Sequence, residues 1–177
     1  MLVLDTNVAS ELMRPEPTHS VAAWISDRDA EELYLTAVSE AELLYGVAIM
    51  PTGRRRNALE SAMSRWLDQG FADRILPFDS SAARAYAVIA SRRRHAGRPI
   101  GGADCQIAAI TRSLGAVLIT RNVRDFEDTG VDVVNSLGQP CGLLVNCGVI
   151  TERHTHSGPR PVLHSGGQCK ECTFPSD

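Results

Sequence analysis

Acidic and amide side chains recur in this sequence directly after short apolar runs and at the starts of helical patterns. They are, in chain order, Asp5, Glu42, Asp104, and the neighbouring pair Asn122 and Asp125. If they share one crevice, the carboxylates cannot all stay ionised unless some take up protons or a cation neutralises them. Oxygen ligands suit Mg²⁺ or Mn²⁺, which keep bound waters and accept phosphate oxygens. The implied chemistry is metal-assisted phosphodiester hydrolysis.

Each of these residues also has an explanation that needs no chemistry. An aspartate after a strand, such as Asp5, is commonly a loop or helix-cap residue. Ser39 followed three residues later by Glu42 is the capping-box pattern, and the spacing alone favours that cap. Asp104 lies in the first turn of a predicted helix, where a negative charge complements the helix dipole. The glycine pair before Asp104 also permits close approach of a ligand, which the dipole explanation does not need.

The elements that would position these residues alternate between short apolar strands and amphipathic helices. Strands are predicted at 1–4, 33–36, 75–78, 117–120 and 131–134. Helices are predicted in the segment before Pro15 and at 39–50, 53–69, 80–96 and 102–114. Such alternation is typical of parallel βαβ units, so we predict an α/β fold, a three-layer α/β/α sandwich with a central parallel sheet. Active sites of such sheets lie at the carboxyl ends of the strands, where the polar residues follow.

Composition argues against several classes of protein. The net charge of −3 is unlike that of a general nucleic-acid coat protein, because nonspecific phosphate binding normally requires a basic surface. No apolar run approaches the roughly 20 residues of a membrane span, and no basic segment precedes the apolar N-terminal run. Cys105 is the only cysteine before residue 136, which excludes a disulfide framework there and favours a small buried packing residue. We therefore expect a soluble, cytoplasmic protein.

The arginines are clustered, in the runs Arg54-Arg55-Arg56 and Arg92-Arg93-Arg94, with Arg98 close to the second run. Arginine suits bidentate contact with phosphate groups. Solvated helix faces explain both runs equally well, so the sequence leaves the two interpretations open.

Four segments carry the candidate residues in one order along the chain. They are Leu2-Val3-Leu4-Asp5-Thr6-Asn7, Ser39-Glu40-Ala41-Glu42-Leu43-Leu44-Tyr45-Gly46, Gly102-Ala103-Asp104-Cys105-Gln106-Ile107-Ala108, and Thr120-Arg121-Asn122 with Asp125-Phe126. Together they resemble the motifs of PIN-domain nucleases, and more closely those of the VapC/FitB-type toxins of type II toxin–antitoxin systems. The resemblance extends from Met1 to about Val134.

The resemblance implies a metal site of Asp5, Glu42 and Asp104, with a fourth position at Asn122 or Asp125. It overrules the capping-box interpretation of Glu42. Many members of the family carry aspartate where this chain has Asn122, which bears on whether a second metal binds. Thr6 and Thr120 are expected to be hydroxyls that orient the carboxylates.

The resemblance also implies a function and partners. We expect a Mg²⁺- or Mn²⁺-dependent endoribonuclease, the toxin of a toxin–antitoxin pair, that cleaves unpaired RNA. The implied partners are RNA, a cognate DNA-binding antitoxin whose tail enters the site, and a second copy of the chain. One apolar helical stripe suits either homodimerisation or ordinary core packing, namely Leu59, Met63, Trp66 and Leu67.

Two alternatives to the nuclease stay open. Asp5 after the first strand also suits a haloacid-dehalogenase-like phosphohydrolase with an aspartate nucleophile, although those sites carry a second aspartate where this chain has Asn7. A degenerate PIN fold that acts only as a binding scaffold is the other alternative, and the intact Asp5, Glu42 and Asp104 argue against it.

The sequence changes in character after Asn135. Residues 136–177 contain four cysteines, three of the five histidines and many glycines and prolines, with no helical or strand period. We predict a PIN-like nuclease domain at 1–135 and an atypical, irregular or appended tail at 136–177. Cys169 and Cys172 have the CxxC spacing of a zinc site, but no second pair complements them.

Overall fold

Five short strands and six helices alternate along residues 1–14 and 16–135, the part of the chain that the computed structural model describes. The strands are β1 (Leu2–Leu4), β2 (Leu33–Thr36), β3 (Ile75–Leu76), β4 (Val117–Thr120) and β5 (Asp132–Asn135). The helices are α1 (Thr6–Leu12), α2 (His19–Ser26), α3 (Ala37–Ala48), α4 (Arg54–Gly70), α5 (Ser80–His95) and α6 (Gly102–Ser113). Two 3₁₀ turns lie at Ala30–Glu32 and Val123–Phe126.

The strands form one sheet in the order β3-β2-β1-β4-β5, and every neighbouring pair is parallel. In the centre, Leu2 is in register with Leu33 on one side and with Val117 on the other. The chain runs outward from β1 in one direction to β3 and then crosses to β4, so the strand order reverses between β1 and β4. A crevice forms at the carboxyl ends of strands at such a reversal.

Two apolar cores lie on opposite faces of the sheet, as the alternation of side chains along a strand requires. In β1, Leu4 packs into a core with α1 to α4, whereas Val3 packs into a second core with α5 and α6. In β4, Ile119 packs into the first core and Leu118 into the second. Each buried Leu, Ile or Val stabilises the fold by about 1.5–3 kcal/mol. The predicted three-layer α/β/α sandwich is confirmed.

The apolar stripe of α4 belongs to the first of these cores. Met63 and Leu67 are buried in it, and Leu59 and Trp66 are partly buried against it. The stripe therefore packs in the core, as the core-packing interpretation expects, and Leu59 and Trp66 keep part of their surface exposed.

The bounds of two predicted elements were wrong by two residues, other ends differ by one residue, and one helix was missed. Helix α3 begins at Ala37 rather than Ser39, because the Thr36 hydroxyl accepts the backbone N–H of Ser39 and caps the helix two residues earlier than expected. Strand β3 is shorter than predicted because Pro77, which follows it, has no backbone N–H to donate. Helix α2 was not predicted from the sequence.

Within the described part of the chain, no helix is both long and apolar enough to cross a bilayer. The tail at 136–177, the predicted domain boundary before it, and the CxxC pair lie outside the described residues and stay predictions.

Candidate metal centre

An open cleft of about 310 Å³ lies at the carboxyl ends of β1 and β4. It is lined by Asp5, Thr6, Asn7, Ser10, Glu42, Asp104 and Asn122. The structure thus brings together all four loci that the sequence singled out. Of the five candidate ligands, only Asp125 is not part of the lining.

Asp5 is the most buried of the candidate ligands, with 4% of its surface exposed, and its carboxylate is held by three donors. Its Oδ2 accepts hydrogen bonds from Thr120 Oγ1 and Asn7 Nδ2, each at 2.6 Å. Its Oδ1 accepts one, from the backbone N–H of Thr6 at 2.7 Å. Because a carboxylate oxygen offers two lone pairs, Oδ1 retains one for a further ligand.

Thr120, at the end of β4, connects Asp5 to the neighbouring segment. Its buried hydroxyl donates to Asp5 and accepts the backbone N–H of Asn122 at 3.0 Å. Asn7 Nδ2 lies 3.1 Å from the same hydroxyl, and Asn7 Oδ1 accepts the backbone N–H of Arg121 at 3.3 Å. Asn7 belongs to the first sequence motif, but the sequence did not predict that its amide would be a direct partner of Asp5.

Glu42 lies in the second turn of α3, not at the third helical position that the capping box requires. Its Oε2 accepts a hydrogen bond from Thr6 Oγ1 at 2.6 Å. The capping-box interpretation was wrong because Thr36, rather than Ser39, is the N-cap. Since Thr6 directly follows Asp5, one segment of chain fixes Asp5 by its backbone and Glu42 by its side chain.

Asp104 lies in the first turn of α6, and its side chain folds back over the residue that begins the helix. A Cβ atom added to Gly101, the N-cap, would lie 2.9 Å from Asp104 Oδ2. Real Cβ atoms do not approach an oxygen so closely. A side chain at 101 would therefore shift the Asp104 carboxylate from this position, whereas a Cβ at Gly102 would meet nothing within 4 Å.

Asn122 and Asp125 form a pair at the edge of the cleft. The amide of Asn122 donates to the carboxylate of Asp125, which lies in the short 3₁₀ segment after β4. Asn122 lines the cleft and Asp125 does not, but the charge of Asp125 acts on Asp104.

The electrostatics of the cleft favour a cation. Burial raises the pKa of Asp5; hydrogen bonds from Thr120 and Thr6 oppose that effect, and the charges of Asp104 and Glu42 add to it. Burial also raises the pKa of Asp104, and the charges of Asp125 and Glu42 raise it further. Like charges thus destabilise one another's ionised forms, and a divalent cation bound among them would relieve the repulsion.

The donor set therefore fits Mg²⁺ or Mn²⁺ by its chemistry, since all of the lining donors are oxygens or amides. In the described ranges, no three carboxylate, imidazole or thiolate side chains already enclose a metal position.

Several arginines that the sequence offered for phosphate contact have structural partners instead. Arg93 is buried, and its guanidinium donates to the carbonyl of Glu127 at 2.6 Å. Arg98 forms ion pairs with Glu127 and Asp128. These two arginines hold the loop that follows the 3₁₀ segment. Arg54 and Arg55 at the start of α4 are exposed.

Cys105, next to Asp104, packs in the second core and is 1% exposed. Burial raises the pKa of its thiol to about 11, so the thiol stays protonated at neutral pH. The packing interpretation of this cysteine agrees with the structure.

Comparison with known proteins gives matches over the same region of the chain. The PIN domain family model matches residues 2–131. The VapC ribonuclease Y4jK of Sinorhizobium fredii is 42% identical over 135 residues, which cover 76% of this chain and 96% of that protein. Toxin FitB of Neisseria gonorrhoeae is 39% identical over 135 residues, 76% of this chain and 97% of that protein.

Among solved structures, FitAB bound to an IR36 DNA fragment contains a similar chain. It superposes with a TM-score of 0.75 at 38% identity, covering 80% of this chain and 99% of that chain. Sequence motifs, sheet order and these matches agree, and the chain therefore belongs to the PIN-domain family, to its VapC/FitB type.

Proposed function

We propose that the chain is a metal-dependent endoribonuclease and the toxin of a type II toxin–antitoxin pair. The observation that carries the proposal is the convergence of Asp5, Glu42 and Asp104 on one cleft at the point where strand order reverses. Relatives of 42% and 39% identity named as a ribonuclease and a toxin support it.

When bound, Mg²⁺ or Mn²⁺ would lower the pKa of a water and stabilise charge on the phosphate and the leaving oxygen. Asp5, Glu42 and Asp104 would hold the ion, with Asn122 or Asp125 as the fourth position. Thr120 and Asn7 orient Asp5, and Thr6 orients Glu42. No separate general base is assigned, because the carboxylates are required as ligands.

The substrate would be RNA with unpaired nucleotides, whose phosphates are free to enter an open cleft. Arg54 and Arg55, exposed at the start of α4, are available to contact its backbone. Such a substrate would place the protein in the cytoplasm.

A cognate DNA-binding antitoxin and a second copy of the chain are the proposed protein partners. An acidic cleft with an open mouth suits a basic side chain on the tail of an antitoxin. The FitAB complex bound to DNA is a related assembly. For the homodimer, α3 offers exposed apolar side chains at Leu44 and Tyr45, and its C-cap residue Ile49 is also exposed.

A haloacid-dehalogenase-like reaction is not favoured by the position of Asn7. A phosphohydrolase of that type would carry its second acidic residue at position 7, where Asn7 instead donates a hydrogen bond to Asp5. Asp5 is also packed against three donors, which suits a ligand held in place more than a nucleophile that must change partners.

The test is cleavage of a panel of single-stranded RNAs by the purified protein with Mg²⁺, Mn²⁺ or EDTA, together with Asp5→Asn, Asp104→Asn and the control Asp68→Asn. Asp68 is exposed on α4, outside the lining of the cleft. We expect metal-dependent cleavage that falls by about 100-fold in both site variants and is unchanged in the control.

Three results would contradict this proposal. If the folded, metal-loaded protein cleaves no RNA, the binding scaffold is the better interpretation. Cleavage that persists in EDTA would exclude the metal mechanism. Hydrolysis of small phosphomonoesters, lost in Asp5→Asn while RNA is untouched, would favour the phosphohydrolase.

A further inference from the structure

Glu11 is a buried carboxylate to which the proposed chemistry gives no role. It lies on α1, four residues after Asn7, so that both side chains are on one face of the helix. Only 1% of its surface is exposed. A buried carboxylate requires partners for both oxygens, and each partner here comes from a different segment.

The two oxygens of Glu11 serve different segments of the chain. Oε1 accepts hydrogen bonds from the backbone N–H of Thr18 at 3.0 Å and from its hydroxyl at 2.6 Å, at the start of α2. Oε2 is paired with the guanidinium groups of Arg14, at 3.1 Å, and Arg121, at 3.2 Å. The hydrogen bonds from Thr18, together with the two arginines, hold the pKa of Glu11 below its ordinary value.

Of the two arginines, only Arg121 is hydrogen-bonded to a residue that lines the cleft. Its backbone N–H donates to Asn7 Oδ1, and the amide of Asn7 donates to Asp5. Arg121 thus contacts one face of α1 at two points: its backbone N–H is bonded to Asn7 and its guanidinium to Glu11. Arg14 has 65% of its side chain exposed, and it borders the pocket next to the cleft, together with Thr6 and Glu42, without a hydrogen bond to either residue in the described structure.

We propose that Glu11 is a positioning residue: by pairing with Arg121 it fixes the segment after β4, and so sets the orientation of the Asn7 amide against Asp5. The metal-binding part of this inference rests on the proposed function. A purely structural role would be served by the Thr18 contacts alone, which connect α1 to α2 and do not involve Arg121.

The chemistry of glutamine separates the two roles. In Glu11→Gln the amide oxygen can still accept both hydrogen bonds from Thr18, but the NH₂ group that replaces the other oxygen cannot accept from an arginine. Arg121→Gln removes the same contact from the other side at a residue that is only partly buried. Arg14→Gln is the matched control, since it removes an ion pair with the same oxygen of Glu11.

Five proteins are compared: the full chain, the three single variants and the Glu11→Gln/Arg121→Gln double variant. The measurements are Mn²⁺ titration calorimetry, RNA-cleavage kinetics and the NMR signals of the Asn7 side-chain amide. Removing outer hydrogen-bond partners of metal ligands costs roughly 10–100-fold in affinity or activity. We expect about a tenfold loss of Mn²⁺ affinity and of kcat in both site-connected variants, with KM little changed.

The double variant should lose no more than Glu11→Gln alone, because both substitutions break the same Glu11–Arg121 contact. The Asn7 amide signals should shift in both variants and stay in place in Arg14→Gln.

The inference is overturned if Glu11→Gln and Arg121→Gln melt at a lower temperature but keep wild-type Mn²⁺ affinity, kcat and Asn7 signals. It is also overturned if Arg14→Gln shifts the Asn7 signals and lowers Mn²⁺ affinity as much as Arg121→Gln does. If the wild type neither binds Mn²⁺ nor cleaves RNA, the proposed function fails and the Asn7 signals alone test the role of Glu11. Signals that shift in Glu11→Gln and Arg121→Gln then support the positioning role, and signals that stay in place overturn it.

Discussion

At the scale of single residues, the cleft depends on side chains that orient the carboxylates as much as on the carboxylates. Asp5 accepts hydrogen bonds from three donors. Two of these donors, in Thr120 and Asn7, belong to side chains that are 113 residues apart in the sequence. An oriented carboxylate loses little conformational entropy when a metal binds. The hydroxyl of Thr120 is the most connected of these donors, because it also satisfies the backbone of Asn122.

Thr120→Val tests this hydroxyl. Valine keeps the shape of the buried side chain but removes the donor to Asp5 and leaves the N–H of Asn122 without its acceptor. We expect the free energy of unfolding to fall by about 1–3 kcal/mol and RNA cleavage to fall by roughly 10–100-fold. Thr120→Ser, which keeps the hydroxyl, is the control. Equal cleavage rates in the two variants would exclude an orienting role.

The raised pKa of Asp104 leads to a prediction about stability without metal. Its folded-state pKa lies above the unfolded value, so ionisation as the pH rises destabilises the metal-free protein. We expect Asp104→Asn to raise the Tm in EDTA by about 2 °C at pH 7, a small amount because solvent screens a partly exposed charge. The difference should disappear below about pH 4, where the wild-type carboxyl is protonated in both states. Thermal unfolding monitored by circular dichroism across pH measures it, and a lower Tm for the variant at pH 7 would contradict the electrostatic account.

At the scale of elements, each ligand lies at the end of a strand or close to the start of a helix. The residue at which the helix begins determines where the side chain of the ligand lies in the cleft. Helix α3 begins two residues early because Thr36 caps it, and this places Glu42 in the second turn, within reach of Thr6. The N-cap of α6 is Gly101, which leaves room for the side chain of Asp104.

Gly101→Ala and Gly102→Ala form a matched pair for α6. The methyl group at 101 would meet Asp104 Oδ2 at 2.9 Å and displace it, whereas the one at 102 meets nothing. We expect Gly101→Ala to lower Mn²⁺ affinity by about tenfold, while Gly102→Ala leaves it unchanged and stabilises the helix by up to about 1 kcal/mol. Calorimetric titration and thermal unfolding measure both effects. Similar Mn²⁺ affinities in the two variants would contradict the steric requirement at 101.

The alternation of strands and helices, the sheet type and the grouping of the four loci were predictable from sequence, because apolar periodicity and strand-end position are local signals. Helix α2 was missed because it is eight residues long and its apolar residues, such as Val21, Trp24 and Ile25, make too short a period. The roles of Asn7, Glu11 and Arg121 were missed because they depend on contacts between residues more than 100 positions apart.

At the scale of the whole molecule, an acidic cleft occupies one end of the sheet and an apolar surface is left on α3. Tyr45 is 66% exposed and Ile49 is 64% exposed, whereas Leu43 and Val47 on the same helix are buried. Large exposed side chains of this kind on neighbouring turns are typical of an interface.

Ile49→Glu tests this surface as the homodimer interface. A charge buried in an apolar interface costs several kcal/mol, so the variant should sediment as a monomer at concentrations at which the wild type is a dimer. Glu60→Gln, on the exposed side of α4, is the control. Sedimentation velocity measures both. A variant that remains dimeric would place the interface elsewhere.

The position of β1 in the middle of the sheet has a consequence for biosynthesis. Its partner β4, and with it Thr120, is 115 residues downstream of Asp5, so a ribosome that makes roughly 5–20 residues per second releases β4 about 6–23 s after β1. Until then the central strand lacks one neighbour, Asp5 lacks its Thr120 donor, and Asn122 does not yet exist. We therefore expect chains that end before Thr120 to lack a complete cleft, so that its activity would begin only after β4 has been translated.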